Sequence, residues 1–448
     1  MTGKSAKWLA DHPEVAALRL AAVDLNGVAR GKRMPAALAD KALKGGLRMP
    51  LSTLNVDIWG EDIAQSPLVF ASGDADGALS VTERGIVPMG WFDTKSALLP
   101  LWMSNDDGTP FAGDPRRALA RILKRFAERG LTPVVATEME FYLLDGRSET
   151  PAPPVSPQSG RTMAGHDVLS LAGIDAFDTF FSELYATCAA MDIPADALIS
   201  ESGPGQFEIN LLHRADALGA ADDAWLFKMA AKGVARKHGM CASFMAKPYT
   251  TEPGNGMHVH FSLVDDAGRN VFDDGSAEGS EMLGHVLAGL LDGMRASTLL
   301  FAPHFNSYRR MAPGNHAPTS LTWGYENRTT AIRIPGGAVQ ARRIEHRVAG
   351  GDANPYLMLT AILGAALVGI ENGLEPPAPI RGNAYDAQAP RLPDSWKSAI
   401  DLFEADPMIA RIFTSDLIRN LVLCKRQELQ TFAGKDDAFE FLTYVEAV

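Results

Sequence analysis

The stretch Val134-Val135-Ala136-Thr137-Glu138-Met139-Glu140-Phe141-Tyr142-Leu143 alternates with a period of two. On a strand that period sends Glu138 and Glu140 to one face and Val135, Met139, Phe141 and Leu143 to the other. The apolar face can pack. The carboxylates, close together and half-buried, repel one another and are costly to desolvate unless cations accompany them.

Four further segments repeat the pattern: Gln206 with Glu208, then His258, His260 and Ser262, then Arg333, then Arg343, Glu345 and Arg347. Together they describe a sheet with one face built to hold metal ions and phosphate. The most specific is Pro253-Gly254-Asn255-Gly256-Met257-His258-Val259-His260-Phe261-Ser262, a glycine turn feeding a strand, shortly after Lys247-Pro248-Tyr249. Glycines let backbone amides approach a ligand closely, and the strand then shows His258, His260 and Ser262 on one side.

At 448 residues and 46% hydrophobic, the chain has ample material for a small and a large domain. The formal charge of −12 argues against nucleic acid as a partner and gives an anionic substrate no general attraction, so bound phosphate needs local arginines and metal. Cys188, Cys241 and Cys424 form no CxxC pair, which suggests neither disulfides nor zinc. No apolar signal core follows Met1 to Lys7 and no uncharged run approaches membrane-spanning length, so a cytoplasmic protein without membrane contact is expected.

Leu18 to Asp24 reads as a strand, Asn26-Gly27 as a turn, and Val28 to Arg33 as the returning strand of a hairpin. Asn105 to Pro110 is a turn cluster, and Asp114-Pro115 caps and opens a helix. The domain boundary is therefore placed at 107, giving units 1–107 and 108–448. Residues 147–161, rich in Pro, Ser and Gly, read as a surface loop. Helices are expected at 114–129, 174–191, 215–239, 279–298 and 353–372.

The run from Lys247-Pro248 to His258 and Ser262 resembles the ATP-binding signature of the glutamine synthetase family. Asp24 to Gly27 with Arg30-Gly31-Lys32, Glu138 to Phe141, Glu201 to Glu208, Asn306 to Arg310, Asn327 to Thr329 with Ile332 to Pro335, and Arg342 to Arg347 are similar to its other motifs, in order. The resemblance implies an α+β enzyme: a small N-terminal β-grasp-like domain and a large catalytic domain with a curved antiparallel β-sheet. It also implies homo-oligomeric rings, a dodecamer with sites shared between adjacent subunits.

By that resemblance one divalent ion is held by Glu140, Glu201 and Glu208, and another by Glu138, His258 and Glu345. Oxygen ligands with one imidazole suit Mg²⁺ or Mn²⁺. Gly254, Arg310 and Arg347 would contact L-glutamate; His260, Ser262, Arg328 and Arg333 would contact ATP. Arg328 and Arg347 would act on the transferring phosphoryl group, because planar guanidinium groups neutralise its charge. Arg309, Arg342 and Arg343 read instead as solvated or bonded to neighbouring carboxylates. Tyr385, in a loop loosely similar to one the family nucleotidylates, reads as a packed aromatic.

Two departures bear on the amine. Ammonia-using members carry a flap glutamate before Ala-Pro where this chain has His316, and an N-terminal aspartate loop for which Asp57, beside Trp59, Glu61 and Asp62, is the match. Neutral imidazole can accept a proton from a larger amine. Glu61 and Asp62 can join Asp57 in pairing with a diamine, with Trp59 over its methylenes; an acidic surface loop anchored by Trp59 is the other reading. The resemblance thus implies a ligase joining glutamate to putrescine or a polyamine. Ammonium, ethanolamine or an alkylamine as the amine, a non-catalytic scaffold, and a two-metal hydrolase are the alternatives.

Overall fold

The computed structural model describes residues 2–165, 168–312 and 317–448. Six strands fall early in the chain: β1 (Ala17–Val23), β2 (Ala29–Pro35), β3 (Leu47–Pro50), β4 (Asp76–Val81), β5 (Val87–Met89) and β6 (Ser96–Ser104). They form one sheet in the order β2-β1-β6-β4-β3, with β5 beside β6. β1 and β6 run parallel at its centre. The Asn-Gly hairpin forms as read: Gly27 takes φ +81°, and Asp24 Oδ1 accepts the main-chain N–H groups of Asn26 and Val28 at 2.9 and 2.8 Å.

One face of this sheet has its own core, with Leu18, Leu20, Leu99 and Met103. The other, with Ala21, Val23 and Leu98, joins the main core of the chain. Buried polar contacts complete the seam: Asn26 and the main-chain N–H of Ile58 bond Glu428, which pairs with Lys425 at 2.9 Å. Trp225 Nε1 donates to Gly27 O at 3.0 Å.

The second sheet comprises β7 (Leu131–Asp145), β8 (Ala195–Ser200), β9 (Gln206–Arg214), β10 (Met240–Ser243), β11 (Met257–Asp265), β12 (Trp323–Tyr325), β13 (Ile332–Ile334) and β14 (Ile344–His346). Its order is β12-β13-β14-β11-β7-β9-β8, with β10 beside β7. Every pair is antiparallel except β12 with β13, so the expectation of an antiparallel sheet fails at that edge. There a short connection returns the chain in the same direction. A register shift between Val135 and Thr137 bends β7 against β9.

Helices Pro115–Ala127, Ala217–Lys237, Glu281–Phe301 and Pro355–Asn372 match the sequence reading within a turn. Asp114 caps the first as expected. The helix expected at 174–191 is split into Leu171–Asp175 and Asp178–Ala190. Pro355–Asn372 corrects the statement that no uncharged run nears spanning length: it is apolar and long enough, yet mostly buried as the central core helix. Four helices after residue 395, among them Ser415–Phe432 and Asp437–Tyr444, were not foreseen.

Candidate active site

Register assembles the site. Glu138 on β7 lies opposite His258 on β11, and Glu140 opposite Glu208 on β9. His260 lies opposite Glu345 on β14, which in turn lies opposite Arg333 on β13. Side chains of cross-strand partners share a face, so one face collects the charged residues while Val135, Met139 and Phe141 are fully buried behind it.

Two groups have ligand atoms mutually within 4.8 Å: Glu138, His258 and Glu345, and Glu140, Glu208 and His258. The first matches the set implied by the resemblance. In the second His258 stands where Glu201 was expected. Glu201, just beyond β8, is instead tied to the group through charge: burial and the Glu140 carboxylate push its pKa up to about 7. Burial, then Glu140, Glu138 and Glu201, push Glu208 up to about 9. Carboxyls raised by like-charged neighbours are what an acidic metal site looks like when protons stand in for cations. The donors are carboxylates and one imidazole with no sulfur, which fits Mg²⁺ or Mn²⁺.

The histidines hold the other carboxylate down. Glu138 accepts from His258 Nδ1 at 2.9 Å and from His260 Nε2 at 2.8 Å. Burial alone would raise Glu138, but these bonds outweigh it and keep its carboxyl well below the usual range. Arg343 Nε donates to His260 Nδ1 at 3.2 Å, so a neutral His260 carries its proton on Nε2. Arg343 was read as solvated or bonded to carboxylates; it belongs to the site, and the alternation Arg343-x-Glu345-x-Arg347 was the signal. Glu345 is buried between Arg333, at 2.9 Å, and Arg347.

Arg310 is 4% exposed, with NH1 donating to Val348 O at 2.8 Å. The glycine turn explains itself here. A Cβ on Gly256 would stand 2.9 Å from Arg310 NH2, 3.1 Å from His258 Nε2 and 3.4 Å from Glu140 Oε1. The Gly256 N–H donates to Glu140 Oε2 at 2.6 Å. Gly254 is equally confined, and its carbonyl accepts from Gln206 Nε2 at 3.1 Å. Gly256 was quoted in the sequence but given no role; the tight approach supplies one.

Beside Glu138 opens a cleft of about 1260 Å³ whose walls include Ala136, Leu211, His260, Ser262, Asn270 and Arg343. Its walls mix apolar side chains with polar ones, the form of a small-molecule site. Arg328 is exposed and acts on Glu201 through charge. Tyr385 is more than a packed aromatic: its hydroxyl donates to Ala317 O at 3.3 Å, and Arg347 and Arg310 act on it. Arg309 pairs with Asp437 and Glu440, and Arg342 donates to main-chain oxygens of Ser276 and Ala277.

Asp57 is not brought to this cluster within the chain. It is 2% exposed; Oδ1 accepts from the N–H groups of Trp59 and Glu61 at 3.1 and 2.9 Å, and Oδ2 from Gln427 Nε2 at 2.9 Å. Trp59 packs on Phe432 and Phe439, so it anchors the loop, and a role over an amine's methylenes is not what its contacts describe. His316 lies outside the described residues.

Residues 112–444 match the family model for the glutamine synthetase catalytic domain. The chain is 37% identical to gamma-glutamylputrescine synthetase PuuA of Escherichia coli (strain K12), over 95% of this chain and 91% of that one. It is 33% identical to a gamma-glutamylethanolamide synthetase of Streptomyces coelicolor, over 92% and 89%, and 33% identical to a glutamate–isopropylamine ligase of a Pseudomonas species, over 96% and 95%. A solved structure of GmaS in complex with ADP superposes with a TM-score of 0.84 at 29% identity, covering 99% of each chain. With its motifs in order, its acidic and arginine-bearing strands in register and relatives matched almost end to end, this chain belongs to the glutamine synthetase family.

Proposed function

We propose that the protein is an ATP-dependent ligase that joins the γ-carboxylate of L-glutamate to an amine, with putrescine or a polyamine as the amine. The observation that carries the reading is the junction of two acid–imidazole groups with the arginines around Glu345, at the mouth of a cleft large enough for a nucleotide. Among relatives, enzymes for putrescine, ethanolamine and isopropylamine support an organic amine as the nucleophile.

At neutral pH a carboxylate does not condense with an amine unless its oxygen is made a leaving group. Transfer of the γ-phosphoryl group from ATP to the glutamate carboxylate gives γ-glutamyl phosphate and ADP. The amine nitrogen then attacks the acyl carbon, the C–O bond to phosphate breaks, and the nitrogen gives up a proton. Divalent ions held by Glu140, Glu201 and Glu208 and by Glu138, His258 and Glu345 would neutralise phosphate charge. Arg310, fixed through Val348, presents its remaining N–H groups to the substrate carboxylate beside Gly254. Arg333 and Arg347, oriented by Glu345, and the exposed Arg328 stabilise charge on the phosphoryl group. His260 and Ser262 line the nucleotide cleft. His316 takes the proton from the attacking amine. Asp57 acts by shaping the loop that carries exposed Glu61 and Asp62 to a neighbouring subunit's site in a ring-shaped oligomer, a dodecamer in this proposal. The cytoplasm, which supplies ATP and glutamate, is the proposed location.

Phosphate release with ATP, glutamate and Mg²⁺ is compared for ammonium, ethylamine, ethanolamine, putrescine and spermidine. A diamine or polyamine should win by at least about tenfold in kcat/KM, and His316→Glu should move the preference toward ammonium. Ammonium as the best substrate of the unaltered enzyme would make this a glutamine-forming enzyme, and inactivity with every amine would return the scaffold reading.

A further inference from the structure

Asp352 is a buried carboxylate that the proposed reaction does not use. It is 1% exposed, and no cation among the described residues lies within ion-pair distance of it. Oδ2 accepts from the Ser307 hydroxyl at 2.5 Å, while Oδ1 is buried without a hydrogen-bond partner. Burial raises its pKa, against that bond and the charges of Lys228 and Arg310. The Lys228 ammonium donates elsewhere, to Ala353 O at 2.9 Å. A carboxylate so placed costs stability that an apolar side chain of similar size would not, which points to a role in geometry.

What it grips is the start of the helical turn Ser307–Arg310. At that end Ser307 Oγ also accepts from the His304 N–H at 3.0 Å, and Asn306 bonds the N–H and the carbonyl of Lys247 at 2.7 and 2.9 Å. At the other end Arg310 NH1 donates to Val348 O. Val348 and Asp352 belong to one run, Val348-Ala349-Gly350-Gly351-Asp352, directly after Arg347. That run lies along the glycine turn: the Met257 N–H donates to Ala349 O and the Gly351 N–H to Asn255 O, both at 2.9 Å. It has little slack, since a Cβ on Gly350 would collide with Asp352 Oδ1 and one on Gly351 would stand 3.0 Å from Phe244 O. One tightly packed run thus holds the helical turn at both ends, and its hold on Ser307 is a single side-chain bond. We propose that Asp352 is a positioning residue for glutamate: by gripping Ser307 it fixes the turn that aims Arg310 at the substrate carboxylate. This rests on the assignment of Arg310 to glutamate in the ligase reading.

The test is phosphate release with the preferred amine, varying glutamate and ATP separately, together with calorimetric titration of glutamate and thermal unfolding of each variant. Ser307→Ala should raise the KM for glutamate by at least about fivefold, more than it lowers kcat, with the KM for ATP within about twofold, and glutamate binding should weaken in step. Asp352→Asn keeps an acceptor for the Ser307 hydroxyl and should fall between the parent and Ser307→Ala. The two substitutions together should be no worse than Ser307→Ala alone, because the residues form one link. A glutamate KM within about twofold of the parent in Ser307→Ala, or equal rises in KM for glutamate and ATP, would overturn the proposal and leave Asp352 to the fold, whatever happens to the melting temperature. Asp352→Asn as damaging as Ser307→Ala would also overturn it, by making the charge and not the bond the agent. Arg310→Met separates this inference from the reading beneath it. If it leaves glutamate binding unchanged, the assignment of Arg310 fails and the positioning role fails with it. A large effect there with none in Ser307→Ala refutes the positioning role alone.

Discussion

Replacing Gly256 with alanine separates the geometry of the site from the stability of the fold. Gly256 does not have a left-handed φ, so alanine meets no backbone penalty and the test is of space alone. The new methyl group would lie 2.9 Å from Arg310 NH2, where ordinary contact begins at 3.4 Å. Arg310 must therefore retreat by about 0.5 Å, and His258 Nε2 at 3.1 Å must also yield. Both are ends of side chains, so the strain is expected at the low end of the ~1–3 kcal/mol that overpacking costs. Catalysis has less tolerance, because a displacement of about 1 Å costs about 10²-fold. Half that shift, shared by the arginine proposed to hold the substrate and the histidine proposed to hold a metal ion, should lower kcat/KM by about tenfold or more. The assay is phosphate release with glutamate and the preferred amine, beside thermal unfolding of the same preparation. Activity within about twofold of the parent would refute the claim that these three groups are held by the turn. A collapse of stability matching the loss of activity would assign Gly256 to the fold alone.

Metal loading should release protons near neutrality, since Glu208 is pushed up to about 9 and Glu201 to about 7 in the ion-free chain. Mn²⁺ affinity should rise with pH across roughly 6 to 9, and titration in buffers of different ionisation enthalpy should show the proton; a pH-independent affinity would contradict it. Burial pulls Lys228 down to about 7 from 10.5, with Lys232 contributing, and Lys232 itself down to about 8. The unfolded chain then binds more protons between those values, so stability rises with pH from about 7 to about 10.5, and Lys228→Met should flatten that rise in denaturant unfolding. Arg116 grips Asp222 with two bonds, at 2.9 and 2.8 Å, and the Tyr356 hydroxyl donates to the same carboxylate at 2.7 Å, tying three helices together. Asp222→Asn leaves the buried Arg116 only the half-exposed Glu83, at 3.1 Å, as a charge partner and should cost about 3 kcal/mol in chemical denaturation, the low end for breaking a buried pair, with the KM for ATP unchanged in what remains folded.

Strand periodicity made most of this site legible. Alternation placed Glu138 with Glu140 on one face of a strand and His258 with His260 on one face of another, while the grouping of Glu138 with His258 and of Glu140 with Glu208 came from the resemblance to the family. What alternation cannot give is which strands are neighbours. His258 belongs to both ligand groups because it lies opposite Glu138, with Glu140 next along the same face of β7, a proximity that a strand-by-strand reading does not reveal. The contacts of Asp57 were illegible for a related reason: its partner Gln427 is on a helix 370 residues away in sequence, and a local pattern cannot distinguish a carboxylate offered to a ligand from one that closes a turn. The helices after residue 395 were legible and were missed: Trp396–Ala405 buries one apolar stripe of Trp396, Ala399, Ile400 and Phe403 behind the cap Ser395, and Ser415–Phe432 buries Leu417, Leu421, Cys424 and Phe432 behind the cap Thr414.

The electrostatics of this face explain how so many carboxylates stay together on one sheet. A face with Glu138, Glu140, Glu201, Glu208 and Glu345 would repel itself apart if all were ionised. The chain divides them into two populations. Glu138 and Glu345 keep their charge because His258, His260, Arg333 and Arg347 surround them, while for Glu201 and Glu208 burial and the Glu140 carboxylate outweigh the pull of Arg328 and Arg347 and push both toward the protonated form. Protons therefore occupy the role of the ions on one side, and imidazole N–H and guanidinium groups occupy it on the other. Divalent cations bound on this face would replace those protons, with His258 offering a ring nitrogen beside the carboxylates. Cross-strand register already brings the ligand atoms of each group within 4.8 Å of one another, close enough for a single cation to replace the repulsion with attraction.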